Sequence, residues 1–145
     1  MEWQLSLRCN QRLSGTFEGI RLINHVSLGT HHHAESVIFY QHTLAPLGAQ
    51  LLRDKGNEAA FGTPLRWLFV LYPVAAGESV TAPGTHLAFQ AASRAEVIAV
   101  YEQAMSGSAA SLFTSRERLD ISDTYFGAMF TDLDGHRIEA LTDAA

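Results

Sequence analysis

Asn24-His25-Val26-Ser27-Leu28-Gly29 and Thr85-His86-Leu87-Ala88-Phe89-Gln90 stand 61 residues apart and open two similar halves of the chain. Sliding the sequence by that offset brings His25 onto His86, Glu35 onto Glu96, Tyr40 onto Tyr101 and Leu51 onto Leu112. Apolar positions follow in the same frame: Val26 meets Leu87, Leu28 meets Phe89, Val37 meets Ile98 and Leu44 meets Met105. A repeat at fixed offset implies two copies of one supersecondary unit that bury their apolar faces together.

The same element order reads out of each half. In the first, Leu22 to Thr30 is a strand with His25 near its middle, and Ala34 to Leu47 carries Val37, Phe39, Tyr40, Leu44 and Leu47 at helical spacing. Gly48 then suits a helix end, and Lys55-Gly56-Asn57 a turn. Ala49 to Arg53, Ala59 to Thr63 and Leu65 to Tyr72 follow as strands. In the second half, Gly84 to Ala91 is a strand containing His86. Ser93 and Glu96 have the spacing of a capping box for a helix through Met105. Strands near Ala110 to Thr114, Thr124 to Thr131 and Arg137 to Thr142 complete it, with Asp132-Leu133-Asp134-Gly135 as the last turn. The expected fold is α+β: two βαβββ modules whose curved mixed sheets form a cup, or half-barrel, with helices outside. Residues 21–78 make the first module and 79–145 the second, together one domain; 1–20 form an N-terminal extension. Trp3, Leu5 and Leu7 alternate within it as an edge strand would, so it either packs on the domain or a partner, or stays loosely ordered.

Charge and composition exclude several function classes. Ten Lys and Arg against fifteen Asp and Glu leave a net charge of −5, and the basic residues are scattered, so no nucleic-acid footprint is present. No run approaches the ~20 apolar residues of a membrane span. Cys9 is the only cysteine, which rules out an internal disulfide. With no secretory h-region at the start, a cytoplasmic location is expected.

Candidate chemistry sits at equivalent places in the repeat. If a pseudo-twofold axis relates the halves, His25 and His86 face it and approach one another. In the final strand, period-2 alternation puts Arg137, Glu139 and Leu141 on one face. An inward carboxylate among apolar neighbours is costly without a cation. Two imidazoles and one carboxylate make a facial triad for a divalent ion: Fe²⁺, Mn²⁺, Ni²⁺ or Zn²⁺. The competing reading is a metal-free pocket in which these groups bond directly to ligand. Tyr125 is either a donor to a bound oxyanion or a packing residue with its hydroxyl at the rim. Arg137 either grips a ligand carboxylate or snorkels at the strand start. His136 and the run His31–His33 read as solvated, and Trp67, Phe69 and Tyr72 as core or cup wall.

These segments resemble a known superfamily. Asn24 to Gly29, the helix with Phe39-Tyr40, and Leu44-Ala45-Pro46-Leu47-Gly48 are similar to the opening of a glyoxalase/bleomycin-resistance/dioxygenase protein. Tyr125-Phe126-Gly127-Ala128-Met129-Phe130, followed by Asp132 to Glu139, resembles its closing strands, and the match spans about residues 21 to 143. The resemblance implies a paired-module cup, a divalent metal held by His25, His86 and Glu139, a substrate with adjacent oxygens, and a homodimer. Modules would pair either within one chain or between chains.

The departures narrow the activity. Aligning Arg66-Trp67-Leu68 with Arg137-Ile138-Glu139 puts Leu68 where four-ligand relatives such as glyoxalase I carry a carboxylate, and Glu58 and Glu78 read as loop residues. Met129, Leu133 and the lack of any histidine between His86 and His136 depart from the extradiol dioxygenase pattern. The expected function is therefore a metal-dependent, lyase- or isomerase-like enzyme on a small oxygen-bearing substrate. The alternative is a metal-free protein that sequesters a small molecule, as bleomycin-resistance proteins do.

Overall fold

The computed structural model describes residues 22–144, so the expected N-terminal extension lies outside the described residues. The chain runs β1 (Val26–Thr30), α1 (His33–Thr43), a 3-10 turn (Ala45–Leu47), β2 (Gln50–Asp54), β3 (Ala59–Thr63) and β4 (Arg66–Pro73). The second half follows as β5 (His86–Gln90), α2 (Arg94–Ser106), β6 (Ala110–Glu117), β7 (Phe126–Thr131) and β8 (Arg137–Thr142). Each half is βαβββ, as the repeat predicts. The strand orders are β1-β4-β3-β2 and β5-β8-β7-β6, so each sheet is mixed, with its first strand parallel to its last. The two sheets share no ladder among the described residues and do not close into a barrel.

Local chemistry explains the main departures from the expected bounds. Helix α1 ends at Thr43 because Pro46 has no N–H to continue the ladder, and Ala45–Leu47 tightens into a 3-10 turn closed by Gly48 at φ 74°. Helix α2 opens as expected: Ser93 Oγ accepts from Glu96 N at 3.2 Å, while the Glu96 carboxylate accepts from Ala92 N at 2.8 Å. Strand β6 runs three residues past the expected Thr114, carried by register shifts at Ser111/Phe113 and Phe113/Arg116.

One core serves both modules. Adjacent residues of α1 point to different sheets: the Tyr40 ring packs on Phe69 at 4.7 Å, and Phe39 meets Phe130 of β7 at 6.4 Å. Phe69 of β4 and Phe89 of β5 touch edge-on at 5.7 Å. Gly107 is required where α2 ends, since a Cβ there would stand 2.8 Å from the Phe39 ring. Both sheets turn their helix-side faces to this common core. The opposite faces, with Ser27 and Val70 on one and His86 and Glu139 on the other, look away from it.

A polar latch locks the modules together at the β7–β8 turn. Tyr40 OH donates to Asp132 Oδ2 at 2.6 Å, and Thr30 Oγ1 and the His31 amide both donate to Asp134. His136 is 6% exposed, with Nε2 on Gly29 O at 2.8 Å, so the expectation that it is solvated is wrong. The turn folds it inward because Asp132 Oδ1 accepts from the amides of both Asp134 and His136.

Candidate functional site

Glu139 is 4% exposed, although it sits on the sheet face opposite α2. The register explains its neighbours: Ala88, Glu139, Met129 and Phe113 lie side by side across β5, β8, β7 and β6. His86 pairs with Arg137 one step along, and Gln90 with Leu141 one step the other way. Tyr125 OH donates to Glu139 Oε1 at 2.8 Å, and His86 Nε2 stands 3.6 Å from Oε2. Burial, and then the bond to Glu139, push the Tyr125 phenol up to about 12, so it remains a proton donor to the carboxylate at neutral pH. Arg137 is exposed, and with His86 it borders a cleft of about 380 Å³ roofed by Thr81 to Thr85.

Both repeat histidines sit at strand starts rather than mid-strand. His86 is the first residue of β5, and His25 immediately precedes β1. His25 is exposed, its Nδ1 2.8 Å from Asn24 Oδ1, while Arg66 Nη2 donates to Asn24 O and holds this segment beside β4. The structure thus brings His86, Glu139 and Tyr125 together, with Arg137 beside them, and leaves His25 apart. No three His, Cys, Asp or Glu side chains converge as a metal site among the described residues of one chain.

Register also corrects one alignment. Ser27 pairs with Val70 as Ala88 pairs with Glu139, so Val70, not Leu68, is the first-module counterpart of Glu139. Strand β4 is eight residues long against six in β8, so Val70 lies four residues after Arg66 where Glu139 lies two after Arg137. The position still carries no carboxylate. Glu58 does lie in the loop before β3, where Tyr72 OH donates to it at 2.9 Å and Arg53 Nε stands 3.2 Å away.

Two features of this face escape a reading by pattern. Gly127 backs the carboxylate: a Cβ there would stand 3.1 Å from Glu139 Oε1 and 3.2 Å from the Tyr125 ring. Arg116 and Arg118 reach the Glu139 side of the sheet because β6 continues past Thr114 and bulges. Their only signal is the run Arg116-Glu117-Arg118, which in isolation reads as a solvated loop.

Comparison with known families settles the lineage. The family model for the Glyoxalase/Bleomycin resistance protein/Dioxygenase superfamily matches residues 22–140. The chain belongs to this superfamily. No curated protein matches it significantly. Solved superfamily structures share its fold. A glyoxalase/bleomycin resistance protein from Albidiferax ferrireducens T118 aligns at 23% identity and TM-score 0.73, covering 83% of this chain and 98% of its own. A family enzyme from Burkholderia phytofirmans PsJN aligns at 14% identity and TM-score 0.64, covering 83% and 98%. A fosfomycin resistance protein from Listeria monocytogenes aligns at 20% and 0.61, covering 83% and 91%. A variant of that last protein was solved with Mn(II) and 1S,2S-dihydroxypropylphosphonic acid. At these identities the superfamily likeness carries the fold alone. No helix of the described residues is long and apolar enough to cross a membrane.

Proposed function

We propose that the protein is a divalent-metal-dependent, lyase- or isomerase-like enzyme acting on a small substrate with adjacent oxygens. Its ligands are His86 and Glu139 of one chain and His25 of a second copy. The observation that carries this reading is Glu139: a buried carboxylate held by one phenol and facing an imidazole at 3.6 Å. A carboxylate removed from water needs compensation, and Tyr125 supplies only one hydrogen bond. The donor set of imidazole and carboxylate suits Mn²⁺, Fe²⁺, Ni²⁺ or Zn²⁺. When bound, such an ion supplies Lewis acidity toward a carbonyl, enolate or diol.

This chain's own residues have distinct tasks. Tyr125 keeps one carboxylate oxygen occupied, which orients the other toward His86. Gly127 leaves room for Oε1, the oxygen that Tyr125 holds. Tyr125 OH is also the proton donor nearest the carboxylate, and Arg137 flanks His86 at the strand start. Because both helix-side faces pack on one core, His25 and His86 of a single chain look away from one another, which favours a homodimer with a composite site.

Metal content of untagged protein, followed by titration with the four ions, tests the reading. About one ion per chain is expected, lost in His86→Ala and Glu139→Ala with the fold retained. No uptake by the unaltered protein would overturn the enzyme and favour a metal-free small-molecule binder. His25, exposed and outside the cluster in one chain, is the observation on that side.

A further inference from the structure

The face of the second sheet that carries Glu139 also carries a cationic and aromatic cluster on its edge strand. The Arg116 and Arg118 guanidinium carbons lie 4.8 and 5.1 Å from the centre of the Phe113 ring. Phe113 is in register with Met129, which is in register with Glu139, so the cluster stands two strands from the buried carboxylate. That separation is about 10 Å at ordinary strand spacing. The helix-side face of the same strand is separately occupied, with Glu117 bonded to Arg94 of α2 and Ser111 to Tyr101.

Two guanidinium groups at one ring repel unless an anion compensates them. Asp120 compensates one: its carboxylate accepts from Arg118 Nε and Nη2 at 2.8 and 2.7 Å, which holds its carboxyl below the usual range. Among the described residues Arg116 meets no hydrogen-bond acceptor and is exposed. Arg116 therefore keeps its N–H groups unpaired, while Asp120 and Glu139 supply the negative charge near the pair. A planar guanidinium against an aromatic ring keeps its N–H edge free for a bidentate oxyanion. The strip between the cluster and Glu139 is the Met129 side chain, which suits an apolar body.

We propose that Arg116, Arg118 and Phe113 form the substrate's anion subsite, so that the substrate is a carboxylate or phosphonate. Its anionic group lies within about 10 Å of its chelating oxygens, joined by a short alkyl or aryl body over Met129. This assignment rests on the reading of Glu139 as the chelating end, and it adds the other end of the ligand.

The test is calorimetric titration of the dimeric or monomeric protein as purified, treated with EDTA, using phenylphosphonate and benzoate as probes and benzamide as the neutral control. The unaltered protein binds both anions with Kd of about 10 mM or tighter and binds benzamide at least about tenfold more weakly. Arg116→Gln and Arg118→Gln each weaken anion binding about tenfold, with unchanged circular dichroism. Arg94→Gln, which makes the same charge change on the helix-side face, leaves binding unchanged. A preference for phenylphosphonate over benzoate, or the reverse, identifies which oxyanion the subsite takes. Binding by the two β6 variants as tight as that of the unaltered protein, an equal loss in Arg94→Gln, or no anion binding at all overturns the proposal. Because no metal is present, failure of the metal titration leaves this result standing, and failure here leaves the metal result standing.

Discussion

Tyr125 and Glu139 make one unit, and the energetics of that unit are readable from titration. The phenol is pushed up to about 12 by burial and then by the carboxylate, against an ordinary value near 10. A group raised on folding stabilises the fold fully below its unfolded value, and that contribution is lost as pH rises through the folded one. Stability should therefore hold from neutrality to about pH 10 and fall between about 10 and 12. Tyr125→Phe should flatten that alkaline loss in urea unfolding followed across the range. An identical alkaline slope in the variant would remove Tyr125 as its source. The same substitution leaves Glu139 without its donor, so metal uptake should weaken about tenfold, read in the same titration as the unaltered protein.

Elements position these side chains through their ends more than their middles. The β7–β8 turn is an example, since Asp132 accepts from Tyr40 OH and from two amides of its own turn. Asp132 is 7% exposed and Tyr40 fully buried, its phenol raised well above the ordinary value by burial and then by Asp132. Asp132→Ala would leave a buried hydroxyl and two amides without an acceptor. The expected cost is about 3 kcal/mol, measured by urea unfolding at neutral pH. A cost below about 1 kcal/mol would mean that the apolar core alone holds the modules together. Strand β6 teaches the complementary lesson. Its two irregularities break the alternation from which faces are read, and that is how Arg116 and Arg118 come to the Glu139 side unannounced.

At the scale of the molecule, the proposed composite site makes a quantitative prediction. His25→Ala and His86→Ala chains each lack one ligand of every site. Mixed and allowed to exchange, they form heterodimers with one complete cup and one lacking both histidines. Random pairing makes half the dimers mixed, so metal uptake should recover to about a quarter of the unaltered value. Sites built within one chain would recover nothing, and the measured fraction separates the two arrangements.

Sequence alone determined the architecture of this protein and one half of its candidate site. The 61-residue offset, the capping box of Ser93 and Glu96, and the closing Asp132-to-Glu139 segment are local patterns, and local propensity and apolar periodicity express them directly. The alternation likewise put Arg137, Glu139 and Leu141 on one face, because β8 is regular through its whole length, and the parallel register with β5 sets His86 beside Arg137 on that face. Tertiary structure decided what depends on register and on the pairing of modules. It moved the counterpart of Glu139 from Leu68 to Val70, because β4 begins two residues further from the paired position than β8 does and strand starts are not fixed by the apolar pattern. It buried His136, which is polar and sits in a turn, because an Asp side chain captured the turn's amides. It also left His25 away from His86: two equivalent positions in a repeat share a face in their own modules, but Phe39, Phe69, Phe89 and Phe130 set the modules against one core, with those faces turned apart.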